Sequence, residues 1–84
     1  MTFAALQTIH YLLEQEKYKA EKVLEIRQYN YNEEYDQKVA ETGSNAKAVV
    51  KMRGRAVTTE LENARYDRDR ITAALQEFNS QDWR

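Results

Sequence analysis

Thr42-Gly43-Ser44-Asn45 lies almost at the midpoint of an 84-residue chain that otherwise has the character of helix. The chain contains no proline and two glycines, so this tetrapeptide is its clearest interruption. Glycine often follows the last residue of a helix, and serine or asparagine often caps the next one. We therefore predict an all-α, single-domain protein over residues 1–84. Its fold is expected to be an antiparallel hairpin of two helices at about 2–41 and 45–79, with a short tail at 80–84.

Each half of the chain carries one lengthwise apolar stripe, with the four- and three-residue steps of helices that pack side by side. The second stripe is expected to run from Val50 through Gly54 without a break. Tyr35 then lies beside Gly54, a large side chain against a residue that has none. A surface glycine or a kink at Gly54 is the alternative. The residues predicted to pack across the hairpin are Leu13, Leu24, Tyr31, Tyr35, Gly54, Val57, Leu61, Ala64 and Leu75.

The first half has a second apolar shoulder outside its main stripe. One partner helix covers only one stripe, so a wider apolar face implies a second neighbour. A single core is also marginal for a chain of 84 residues. We predict a homo-oligomer, most simply a dimer in which two hairpins form a four-helix bundle. The candidate self-association face consists of Ala5, Ile9, Leu12, Val23 and Ile26.

Charged residues cluster on both sides of the predicted turn. Acidic residues end the first half, and each cluster lies at the end of its helix that the helix dipole disfavours. Facing each other across a hairpin, the two clusters would compensate. The alternative is that the basic cluster binds nucleic acid, although 13 basic and 14 acidic residues nearly cancel over the chain. The candidate basic patch consists of Lys47, Lys51, Arg53 and Arg55.

Asn30 and Asn32 are the weakest point of the first predicted helix. Asparagine favours caps over helix interiors, and Asn30 followed by Glu33 resembles a capping box. A break at this point, which would give three helices, remains the alternative.

Several aromatic residues fall outside the two stripes. They suit the role of anchors in a protein interface, but tyrosine also tolerates a half-exposed helix face. Trp83, near the C-terminus, is expected to fold back towards Phe3 and Leu6. The tyrosines outside the stripes are Tyr11, Tyr18, Tyr29 and Tyr66.

The sequence contains no recognisable pattern of catalytic, metal-binding or cofactor-binding residues. There is no cysteine, and the one histidine, His10, lies on the first apolar stripe without a second histidine for a metal site. We therefore expect no enzyme activity, no metal and no cofactor. No apolar run approaches the roughly 20 residues of a membrane span, and the N-terminus lacks the features of a secretory signal. We expect no membrane partner, and the lack of cysteine fits a reducing compartment.

The two ends of the chain carry a resemblance. Met-Thr-Phe-Ala-Ala-Leu-Gln-Thr-Ile at 1–9 and Ala-Leu-Gln-Glu-Phe-Asn-Ser-Gln-Asp-Trp at 74–83 resemble short, charged, helical proteins encoded by phages and prophages of Gram-positive bacteria. The resemblance implies a phage or prophage genomic context and no mechanism, and it carries over no functional residues. In that context, the two apolar faces and the lack of site chemistry lead us to expect an accessory or assembly factor in the cytoplasm of a bacterial host cell. Together these features predict a non-enzymatic protein that acts through protein–protein contacts. Nucleic-acid binding by the basic patch is the alternative.

Overall fold

A computed structural model describes residues 2–81, which form three α-helices. Helix α1 spans Phe3–Thr42, α2 spans Asn45–Met52 and α3 spans Ala56–Ser80. Both α2 and α3 fold back and pack against α1. The result is a rod with principal extents of 59 × 17 × 15 Å. The all-α prediction is confirmed.

The turn between α1 and α2 is the predicted central break. Gly43 follows α1 in the left-handed conformation, with φ of 69°, and its N–H donates to the carbonyl oxygen of Val39 at 2.7 Å. Ser44 caps α2, because its hydroxyl oxygen accepts a hydrogen bond from the N–H of Lys47 at 3.4 Å. A left-handed glycine and a serine cap satisfy backbone groups that the two helix ends would otherwise leave without partners.

The predicted second helix over 45–79 is wrong, because it divides into α2 and α3 at Arg53-Gly54-Arg55. Gly54 is exposed with φ of 75°, and a Cβ atom built on it would meet open space. The predicted packing of Tyr35 against Gly54 is therefore wrong, and the alternative of a surface glycine at a break holds. The Thr58 hydroxyl donates to the carbonyl oxygen of Met52 at 2.6 Å, which ties the end of α2 to the first turn of α3.

Helix α1 continues through Asn30 and Asn32, so the alternative of a break there is wrong. The Asn32 side chain accepts a hydrogen bond from Nε2 of Gln28 at 2.9 Å, one turn earlier on the helix surface. An asparagine side chain that is hydrogen-bonded in this way competes less for the hydrogen-bonding groups of the helical backbone. The third helix arises from Gly54 instead.

The core is a thin line of side chains between α1 and the returning helices. Val50, predicted to lie on the second stripe, is 58% exposed, and Met52 is 1% exposed. The three non-helical residues around Gly54 rotate α2 about its own axis relative to α3. Helix α2 therefore presents a different face to α1 than it would as part of one continuous helix. Among residues 2–81, the buried apolar residues are Leu6, Ala48, Met52, Leu61, Ala64 and Leu75. The half-buried residues of the predicted hairpin packing are Leu13, Leu24, Tyr31, Tyr35 and Val57.

Two further expectations concern the chain termini and membranes. Trp83 lies outside the described residues. Within residues 2–81, none of the helices combines the length and the apolar character that crossing a membrane requires.

Candidate protein-interaction surface

Two ion pairs between α1 and the returning part of the chain flank the thin core. Arg27 Nη1 lies 3.2 Å from Glu60 Oε2, and Arg55 forms an ion pair with Glu34. Each pair joins residues at nearly equal distances from the central turn, as the predicted antiparallel register requires. One face of α1 is therefore occupied by α2 and α3, and the remaining faces point outward.

The outer face of α1, which we define as Ala5, Ile9, Leu12, Val23 and Ile26, is an apolar surface with several exposed side chains. Leu12 is 55% exposed, Val23 is 45% exposed and Ile26 is 58% exposed. Ala5 and Ile9 are half-buried at its edge. These are the residues of the predicted self-association face, and the elements formed by residues 2–81 leave much of this face exposed.

A shallow groove between α1 and α3 runs beside the middle of this face. Val23 and Lys19 contribute to its α1 side, and the buried Ala64 and the half-buried Ile71 contribute to its α3 side. A helix that covered the outer face would therefore also contact the edge of α3. Sequence reasoning did not anticipate this groove, because its walls come from two helices whose relative rotation only the fold defines.

Tyrosines extend along a neighbouring side of α1. Tyr11, Tyr18 and Tyr29 are exposed, as is Tyr66 on α3. The Tyr29 hydroxyl donates to Glu33 Oε1 at 3.0 Å. This hydrogen bond, with the nearby negative charge of the carboxylate, raises the pKa of Tyr29 above its ordinary value. The predicted outward position of all four tyrosines is confirmed, and their role as interface anchors stays a prediction.

The candidate basic patch surrounds the end of α2. Lys47, Lys51, Arg53 and Arg55 are all exposed, and Arg55 is held by Glu34 across the hairpin. The predicted compensation of charges is thus present at this pair. Glu41, an acidic residue in the last turn of α1, pairs with Lys38 in its own helix at 3.6 Å.

The described residues bring few reactive groups together. His10 Nε2 lies 3.4 Å from Glu14 Oε1, and the His10 ring lies 5.7 Å from the ring of Phe78. Within residues 2–81, no three side chains of the histidine, cysteine, aspartate and glutamate types are grouped so that they could hold a metal ion. The features that the fold presents are surfaces: an apolar face, a line of tyrosines and a basic patch.

Comparisons with known proteins return no relative from which a role could be transferred. The sequence matches no protein-family model and no curated protein, and the fold matches no solved structure. A function for this chain therefore has to be argued from its own surfaces.

Proposed function

We propose that this protein is a non-enzymatic helical protein that acts through protein–protein contacts, and that the outer face of α1 binds a second copy of the same chain. The observation that carries the proposal is the exposure of Leu12, Val23 and Ile26 on a helix whose adjacent side already packs against α3. In the resulting dimer, the α1 and α3 helices of two hairpins form the four long elements of a bundle.

The shape and surface of the rod support this proposal. Its radius of gyration is 18.2 Å, whereas a compact chain of this length has about 12 Å. Its accessible surface is 6376 Å², whereas a compact monomer of the same mass exposes about 5200 Å². The accessible surface that exceeds that of a compact monomer is of the same order as the roughly 800 Å² that each partner buries in a standard protein interface.

Burial of the outer face would stabilise a dimer appreciably. Complete burial of a valine, leucine or isoleucine side chain contributes about 1.5–3 kcal/mol, of which roughly half remains to be gained at half-exposed positions. A symmetric dimer buries each of these side chains twice. The 13 basic and 14 acidic residues leave the whole chain close to neutral, so long-range repulsion between copies is small.

The resemblance of the chain ends to helical proteins of phages and prophages supports an accessory or assembly role in such a setting. Proteins that assemble with others need a binding surface more than a reactive site, and a binding surface is what α1 offers. This setting is proposed on the resemblance at 1–9 and 74–83 together with the uncovered face.

Light scattering over a range of concentrations tests the self-association. We expect the mass of a dimer for the unmodified chain and of a monomer for Ile26→Lys, because a charge on the outer face opposes its burial. Val50→Lys is the matched control, since both residues are 58% exposed and Val50 lies on α2. Circular dichroism establishes that both variants remain helical. A folded monomer at high micromolar concentration of the unmodified chain would overturn the proposal.

Nucleic-acid binding by the basic patch is the second candidate, and the exposure of all four of its side chains favours it. It predicts binding of a labelled DNA or RNA oligonucleotide at low salt, which weakens steeply as salt is added. Lys47→Gln with Lys51→Gln should then weaken binding without changing the mass in light scattering. If no binding is detected even at low salt, the candidate is excluded.

A further inference from the structure

The outer face belongs to a longer seam along α1, and the spacing of this seam defines how two copies would meet. Steps of four and three residues alternate through it without interruption, which is the repeat of helices that pack lengthwise on each other. Two charged residues lie in its middle, with apolar residues on either side. The outer seam consists of Ala5, Ile9, Leu12, Glu16, Lys19, Val23, Ile26 and Asn30.

We propose that the outer seam pairs with the outer seam of a second copy in antiparallel orientation, about a two-fold axis between residues 17 and 18. This inference rests on the proposed self-association and adds its orientation and register. The alternating steps read the same in both directions about that axis, so every position of the seam meets a position of the other seam. The resulting layers are Ala5 with Asn30, Ile9 with Ile26, Leu12 with Val23 and Glu16 with Lys19.

Charge complementarity selects this arrangement. In the antiparallel register, Glu16 of each copy faces Lys19 of the other, and the adjacent layers of Leu12 with Val23 and Ile9 with Ile26 join apolar residues. In a parallel pair in register, Glu16 would face Glu16 and Lys19 would face Lys19. Like charges opposite each other are destabilising, whereas complementary charges fix the register of an interface.

Antiparallel registers displaced by one repeat are also unfavourable. A shift in one direction places Glu16 opposite Leu12, and a shift in the other places it opposite Ile26. Either shift would place a carboxylate against an apolar side chain of the other copy, with no lysine of that copy opposite it. Of the registers that keep the repeat, the central one alone joins acid with base in the middle layers.

The charged residues are available for contacts between copies. Lys19 Nζ lies 3.5 Å from Glu16 Oε1 within the same helix, and both side chains are more than half exposed. The pair sits beside the groove between α1 and α3, which Glu16, Lys19 and Val23 help to line. A second α1 lying along the seam would bring an opposite charge to each member of this pair.

Cysteine cross-linking tests the register, because the chain has no cysteine of its own. Leu12→Cys and Val23→Cys are made as separate variants and mixed in equal amounts under mild oxidation. The mixture should give a disulfide-linked dimer that joins the two variants. Each variant alone should give little, since in the antiparallel register identical positions are displaced by about 16 Å along the helix axis, and disulfides require Cα atoms closer than about 7 Å.

Charge exchange gives a second measurement that does not depend on disulfide formation. Glu16→Lys and Lys19→Glu should each weaken the dimer about tenfold, through two new like-charge contacts. An equal mixture of the two variants should recover the unmodified affinity. Neither variant regains the pair within its own helix, so recovery on mixing identifies contacts between chains.

The outcomes separate this inference from the proposed function. If the unmodified chain is a dimer, but Leu12→Cys alone cross-links or mixing the charge variants recovers nothing, the antiparallel register is overturned and the self-association stands. If the unmodified chain is a monomer in light scattering, both fail. Cross-linking in the mixture with recovery of affinity supports the inference.

Discussion

The backbone conformation of Gly54 separates α2 from α3 in the second half of the chain. Its φ of 75° lies in the left-handed region, and a Cβ there would meet open space. The cost of a side chain at this position is therefore conformational, with no contribution from a steric clash with packed neighbours.

We expect Gly54→Ala to lower the free energy of unfolding by about 1 kcal/mol. Gly54→Asn should cost less, because asparagine tolerates the left-handed conformation better than alanine. Urea unfolding followed by circular dichroism, at one fixed protein concentration, measures both changes. A helical Gly54 would give the opposite sign, since alanine in a helix interior is more stable than glycine by about 1 kcal/mol.

The two glycines show what could be predicted at the level of single residues. Gly43 could be assigned from sequence because Ser44 directly after it offers a cap for the next helix. Gly54 has Arg53 and Arg55 as neighbours, and Arg55, at the start of α3, supplies no capping hydrogen bond from its side chain. Without a cap signal, its place in the apolar spacing made a helix interior the natural interpretation. The left-handed conformation of Gly54 is visible only in the folded chain.

At the level of the element, α2 is a short helix held by very few side chains. Ala48 is completely buried and Met52 is 1% exposed, whereas Val49 and Val50 on its other sides remain exposed. An eight-residue helix has little stability of its own, so its docking on α1 depends on these contacts.

We expect Met52→Ala to reduce the free energy of unfolding by about 2–4 kcal/mol, because it removes a buried side chain and leaves a cavity. Val50→Ala is the control, and it should change this free energy by less than about 0.5 kcal/mol because Val50 is exposed. Equilibrium unfolding in urea compares the two. Equal losses in both variants would contradict the way α2 is docked.

The sequence predicted α1 and α3 more accurately than α2 because long helices contain many repeats of the apolar spacing. Leu61, Ala64 and Leu75 are buried as expected, and Arg68 is half-buried, as a long side chain with a solvated end group would be. In α2 only two turns are available, and Val49 and Val50 compete with Ala48 and Met52 as the apparent apolar side. Which pair faces α1 depends on the rotation set at Gly54.

At the scale of the whole molecule, the antiparallel register has a measurable consequence for length. With the two-fold axis between residues 17 and 18, the two rods overlap along about residues 3–32 of α1. The remaining end of each α1, with α2 packed on it, extends beyond the other copy by about 15 Å.

Small-angle X-ray scattering should therefore give a dimer about 75 Å long at the level of the backbone, against 59 Å for one rod. Two rods aligned over their full length would remain close to 59 Å, and this result would contradict the offset register. The mass from the forward scattering, measured on the same samples, establishes that a dimer is present.

The outer face of α1 could be named from sequence because its residues repeat at helical spacing outside the main stripe. Leu12, Val23 and Ile26 remain exposed in the fold, as that prediction requires. The groove beside them could not be named, because it depends on where α3 lies across Ala64 and Ile71. Periodicity reports which side of a helix is apolar, and contact with a second helix determines how much of that side remains open.

The capped turn at Gly43 and Ser44 has a consequence for the order in which the chain folds. Contacts between α1 and α2 close a loop of only a few residues, whereas the contact of His10 with Phe78 closes nearly the whole chain. Loop-closure entropy favours early formation of the contacts near the turn over those between the chain ends. We therefore expect the hairpin to form from the turn towards the termini. In hydrogen-exchange pulse labelling during refolding, amides near the turn should become protected first, and those at the N-terminal end of α1 and the C-terminal end of α3 last.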